Sequence, residues 1–290
     1  MKNRKSITLI LIALFATTFS FAQDDDNDVK SNVQTYTPSK LLNKGDWDVK
    51  WFNNLYTQTE STFSSGKEPR SNFFTSTVDI FTGVSENSRF NVGLLLEFRS
   101  NTIGGRQALS VFSLKDATTA RRGFSSFAPA IKFQPFKNIS NFSVQSAFHI
   151  PITSEETDGN GVFLDQTAFT FQNRFFYDYT FPSNQWQLFA ELNTEYNFGE
   201  DKSFANNTLV LAPGLFMSYF PSDKSTILGF VQHNQRFGDF SQDFTALGFG
   251  GKYQLSKTLN LEVLYSSFVR GNDTGLGQSF NLGLRYLLTK

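Results

Sequence analysis

The 290-residue chain has no cysteine. That excludes disulfides, thiolate chemistry and a lipid-attached amino-terminal Cys. Histidine is nearly missing too, with only His149 and His233, so a metal centre built from nitrogen and sulfur ligands is poorly supplied. There is no net charge, 26 Lys and Arg standing against 26 Asp and Glu. Such a balance gives no reason to expect nucleic acid as a partner. Only 39% of the residues are hydrophobic, and no core of a soluble domain is obvious. Phenylalanine, by contrast, is abundant: there are 35 Phe and 9 Tyr.

The amino terminus reads as a secretory signal. Lys2, Arg4 and Lys5 precede an apolar stretch from Ile7 to Phe15, and Ser20-Phe21-Ala22 places small residues where a signal peptidase inspects the chain. The stretch is short of the ~20 residues a spanning helix needs. Cleavage is expected after Ala22. A polar segment, 23–45, follows, opening with Gln23-Asp24-Asp25-Asp26-Asn27-Asp28. A run of acids like this is a solvated tail, expected in the periplasm. Its end, Thr37 to Leu42, is a candidate to pack in a barrel mouth.

From residue 46 to 290 the pattern changes to a period of two. In the last stretch Phe280, Leu282, Leu284, Tyr286 and Leu288 alternate with Ser279, Asn281, Gly283 and Arg285. An apolar row on one side of ~10 residues, with an arginine on the other, suits a strand between lipid and water. Twelve such strands are expected, at about 46–59, 71–84, 89–99, 122–136, 141–151, 164–181, 186–198, 207–220, 225–237, 242–255, 259–270 and 278–288. Five connections are tight and rich in turn formers, such as Pro182-Ser183-Asn184-Gln185 and Pro221-Ser222-Asp223-Lys224. They alternate with six mostly longer polar ones. Short periplasmic turns alternating with extracellular loops mark an all-β, antiparallel up-and-down transmembrane barrel of about 12 strands, with both chain ends in the periplasm. Phe136, Phe181, Trp186, Tyr219, Phe220 and Tyr253 lie beside the short turns and are expected to form an aromatic girdle at the headgroups.

Charge sorts the two faces, because a Lys or Arg facing lipid near mid-membrane costs ~2–4 kcal/mol. The parity opposite the apolar rows carries Asp48, Lys50, Asp79, Glu97, Arg99, Lys132, His149, Arg174, Asp178, Glu191, Glu195, Lys252, Glu262 and Arg285. These are the candidate lumen-lining residues. They form either a network of paired charges that stiffens a narrow barrel or a polar conduit. The same parity carries Phe52, Phe73, Phe81, Phe176, Phe189, Phe216 and Phe268. Inward rings suit a slot for a small amphipathic or apolar solute, or packing for an amino-terminal plug. One strand resists the sorting. In 225–237, Ile227 and Val231 share a parity with His233, while Leu228 and Phe230 share one with Arg236. A bulge or a covering loop is expected there.

Catalytic chemistry is thinly represented. Ser146, three residues before His149, falls on the opposite face of its strand, and there is no Gly-x-Ser-x-Gly elbow. No catalytic residue, metal site or cofactor is assigned. Glu155, Glu156 and Asp158 with Gly159-Asn160-Gly161 have a composition that suits calcium, but a solvated acidic loop is the expectation. The 100–121 loop holds the apolar run Ala108 to Leu114 and is expected to fold inward and narrow the pore.

Several stretches carry a resemblance. Phe21-Ala22-Gln23, Leu41-Leu42-Asn43-Lys44-Gly45 and Phe52-Asn53-Asn54-Leu55-Tyr56 resemble the transporter-like outer-membrane barrels of Bacteroidetes-type bacteria. Pro129-Ala130-Ile131-Lys132-Phe133 with His149-Ile150-Pro151-Ile152 is similar to the barrel family associated with phenol-degradation operons. The resemblance implies residence in the outer membrane of a Gram-negative bacterium and uptake of small hydrophobic compounds. Outer-membrane barrels commonly end in an aromatic residue read by the barrel-insertion machinery. This chain ends Leu288-Thr289-Lys290, with Tyr286 the nearest substitute. The expected function is a monomeric porin-like channel or transporter for a small solute, with outer-membrane lipid and the insertion machinery as partners. A plugged structural or adhesive barrel is the alternative, and a hydrolase the third reading.

Overall fold

The computed structural model describes residues 38–113 and 115–290. The expected signal peptide and the acidic opening of the 23–45 segment lie outside the described residues. Twelve strands close into one antiparallel barrel: β1 (Trp47–Ser61), β2 (Ser71–Gly83), β3 (Phe90–Thr102), β4 (Ala120–Phe133), β5 (Phe142–Pro151), β6 (Phe169–Thr180), β7 (Trp186–Phe198), β8 (Thr208–Ser222), β9 (Ser225–Gly238), β10 (Gln242–Gln254), β11 (Leu259–Asn272) and β12 (Gly275–Leu288). Each strand pairs with its neighbours in the chain, and β1 closes the ring on β12. Closure leaves no unpaired edge, which a strand in lipid cannot tolerate.

Residues paired across a sheet share a face, so register carries one parity around the whole ring. Lys50 pairs with Asp79 on one side and Arg285 on the other. Lys132 pairs with Asn91 and Gln145. The opposite parity presents Trp51, Leu94, Ile131, Leu192, Leu215, Val263 and Leu282, all exposed. This outward apolar band is the lipid face of an outer-membrane barrel. At the short-turn end, Trp186 meets Tyr219 at 4.8 Å and Tyr179 meets Phe181 at 5.2 Å between ring centroids. Phe220 departs from the expected girdle. It is only 6% exposed, because its parity points inward.

The resisting strand needs no cover, and the one irregularity in its pairing, on β8 at Tyr219–Ser222, lies beside the turn rather than within 227–236. β9 pairs with β10 in unbroken register, and its two faces are both apolar for different reasons. Ile227 and Val231 face lipid, whereas Leu228 and Phe230 are buried inside the barrel. His233 stands on the outer face, its Nδ1 2.9 Å from Thr245 Oγ1.

The expected inward fold of the 100–121 loop is overturned. A short 3-10 helix, Ala108–Phe112, packs Val111 against Leu55 and Phe74, with Phe98 and Ala108 alongside. Those three wall residues share the parity of Trp51 and Leu94. The helix therefore lies on the outside of the barrel. Asn72 pins it there: it accepts a hydrogen bond from Thr57 at 2.7 Å and donates to Thr102 at 2.9 Å, Arg106 O at 3.2 Å and Gln107 O at 3.3 Å.

Candidate functional site

The inner wall contains all of the sequence-derived lumen residues, charged and aromatic, on one parity. Most charges meet an opposite charge on an adjacent strand or two residues away. Arg285 donates to both oxygens of Asp48, at 2.8 and 2.7 Å. Arg174 lies 2.7 Å from Glu191, Lys252 2.9 Å from Glu262, and Arg99 2.7 Å from Glu97. Glu195 accepts from Gln172 at 3.0 Å and Asn193 at 2.8 Å. Pairing of this kind keeps buried charge from being left uncompensated.

The inward phenylalanines are also organised. Phe176, Phe189, Phe216 and Phe230 form a row across β6 to β9, with successive centroids 6.1, 5.3 and 5.2 Å apart. Phe230 was missing from the candidates and completes it. The row ends over Gly248, where a Cβ would come within 2.2 Å of the Phe230 ring. The charged groups of Arg174 and Lys132 lie 5.1 and 5.4 Å from the Phe176 centroid, which suits a cation over a ring face. Nearer the long-loop end, Tyr56 and Phe268 sit 4.9 Å apart, and Phe268 stacks on Phe244 at 4.1 Å. Tyr56 also meets Phe73 at 6.1 Å.

Two chain segments enter this bore. At the short-turn mouth, Lys132 Nζ donates to Pro38 O and, at 2.9 Å, to Lys40 O. Ser39 donates to Asp178, and the Leu42 amide donates to Asn91 Oδ1 at 3.3 Å. Leu42 is 3% exposed and clusters with the inward Phe81, Leu95, Ala128, Ala130, Ala147 and Leu287. The amino-terminal segment thus packs in the mouth, and Lys132 is its principal clasp. At the other end, the segment between β5 and β6 folds inward, the role expected of 100–121. Val162 and Leu164 are buried, and Asn101 donates to Phe163 O at 2.8 Å and Leu164 O at 3.1 Å. Arg99 reaches Asp165 at 3.1 Å. Burial pushes the Asp165 carboxyl up to about 7; Arg99 opposes this and the like charge of Glu97 adds to it.

The acidic cluster in that segment holds the loops in shape. Asp158 Oδ1 accepts from the amides of Val162 at 2.9 Å and Asn160 at 3.0 Å, which lowers its pKa. Glu156 accepts from Ser203 and from the Phe204 amide. His149 lies inside, its Nε2 3.4 Å from Gln172 Oε1. His233 is outside the wall, so the two histidines cannot share a site. Their hydrogen-bond partners are Gln172 and Thr245, neither of them a serine.

No protein-family model matches the chain, and a search of curated proteins finds no match. Solved structures do match in fold. The chain is similar to an outer membrane channel from Pseudomonas putida F1, with a TM-score of 0.68 and 9% identity over 92% of this chain and 100% of that one. It is also similar to the beta domain of the Bordetella autotransporter BrkA, with a TM-score of 0.54 and 14% identity over 83% of this chain and 98% of that one. The shared feature is the closed outer-membrane barrel.

Proposed function

We propose that the protein is a monomeric, gated porin-like channel for a small amphipathic or hydrophobic solute. The observation that carries this reading is the way residues 38–42 hold the periplasmic mouth. They contribute no strand to the ring and attach through Lys132, Asp178, Asn91 and the seat of Leu42. A segment held by side chains can leave while the barrel stays closed on itself. Beyond it, the Phe176 to Phe230 row beside paired charges offers apolar walls with a few polar groups, the usual character of a small-molecule site. The fold is that of a structure described as an outer membrane channel, and the sequence resemblance to transporter-like barrels points the same way.

The test is planar-bilayer conductance with and without residues 38–43. Deletion is expected to raise the open fraction and admit small aromatic solutes into vesicles. Neither ion current nor solute flux in the deleted form would leave the structural barrel, working through its loops, as the better reading.

A further inference from the structure

We propose that the outer rim around the Ala108–Phe112 helix binds a phosphorylated, acylated glycolipid of the outer leaflet, with Arg70 and Arg106 on its phosphate. Depth supports this. β1, β2 and β3 have 15, 13 and 13 residues, whereas a tilted strand crosses hydrocarbon in ~9–11. The excess in β2 and β3, about two to four residues, leaves one or two at each end, so their outer ends, where Asn72 bonds Thr102, Arg106 O and Gln107 O, stand at the headgroup level. The helix packs on Phe74 and Phe98, three residues from the end of β2 and four from that of β3.

The surface there is mixed in the way such a lipid is. Leu109, Phe112 and Phe124 are 69%, 55% and 61% exposed and continue the lipid-facing apolar band. Beside them the backbone joins two arginines, since the Gly105 amide donates to Arg70 O at 3.1 Å. Arg70 donates to Thr57 Oγ1 at 2.7 Å, and Arg106 to Thr119 Oγ1 at 3.3 Å. Both partners are neutral hydroxyls. The nearby Arg122 is by contrast neutralised by Asp116 at 2.9 Å. Among the described residues neither guanidinium meets an acid, and two such groups above an apolar shelf match a phosphate above acyl chains. Asn72 holds the loop in place beforehand, so little ordering is needed on binding.

The proposal is independent of whether the bore conducts. Its test is native mass spectrometry of the full mature chain in detergent, titrated with diphosphorylated lipid A. One molecule per barrel is expected. Arg70→Ala with Arg106→Ala should weaken binding at least tenfold, while heat-modifiable mobility on gels confirms an intact barrel. Leu109→Ser with Phe112→Ser should weaken it by a similar factor through the acyl contacts. Equal binding of the dephosphorylated lipid, unchanged binding by the arginine pair variant, or full competition by millimolar inorganic phosphate would each overturn it.

Discussion

Lys132→Met is the most informative single change, because the periplasmic closure is balanced near zero. Ordering the backbone of Pro38 to Leu42 costs ~1–2 kcal/mol per residue, so about 7 kcal/mol in all. Against this stand the two bonds from the Lys132 ammonium, about 4 kcal/mol, the Ser39–Asp178 bond, about 2 kcal/mol, and the Leu42 amide bond, about 1 kcal/mol. Burying the Leu42 side chain adds about 2 kcal/mol. The sum leaves the segment docked by only about 2 kcal/mol, so losing both Lys132 bonds should release it. Met keeps the volume of the stem without the donors. The assay uses the lack of native cysteine: Lys40→Cys gives a single, half-buried thiol on the segment and removes none of these contacts, because Lys132 bonds the residue 40 carbonyl. In the Lys132→Met background, maleimide labelling should accelerate about thirtyfold, the most that about 2 kcal/mol of docking allows. Equal rates with and without Lys132→Met, in barrels shown to be folded, would refute the claim that this clasp holds the mouth.

The segment between β5 and β6 should respond to pH through Asp165. Its carboxyl binds a proton up to about pH 7 when docked but only to its ordinary value when released. Docking is therefore firmest in acid, weakens as pH rises through that window, and is flat above it. Protease cleavage within 152–168 should rise across the same range and become insensitive to pH in Asp165→Asn. Deleting 106–115 should leave single-channel conductance unchanged, because this loop packs outside the wall, while lowering the urea midpoint as Leu55, Phe74 and Phe98 lose their cover. Gly248→Ala should destabilise the barrel by about 1–3 kcal/mol through overpacking in lipid-vesicle unfolding. Phe230→Leu in the same chain should recover part of that loss.

The period of two was enough to read the barrel. All twelve strands appear, and every charged candidate faces the bore, because membrane cost forbids the other face. What failed had a common cause. Apolar residues announce burial, not the surface they are buried against. Ala108 to Phe112 looked like a pore constriction and proved to be an outer shelf. Leu164 looked like the start of β6, which begins at Phe169, because burial inside the mouth mimics burial in a wall. Phe220 and Phe230 were misplaced or left out for the same reason. Partner identities were also out of reach: Arg285 with Asp48, 237 positions apart, and Arg99 with Asp165 meet only once register and loop path are known.

The two closures grip opposite ends of the bore through different side chains, Lys132 and Asp178 below, Arg99 and Asn101 above. They share no side chain, so under the proposed channel function each would open without the other. Cargo would then wait against the Phe row between two shut hatches, as in an airlock.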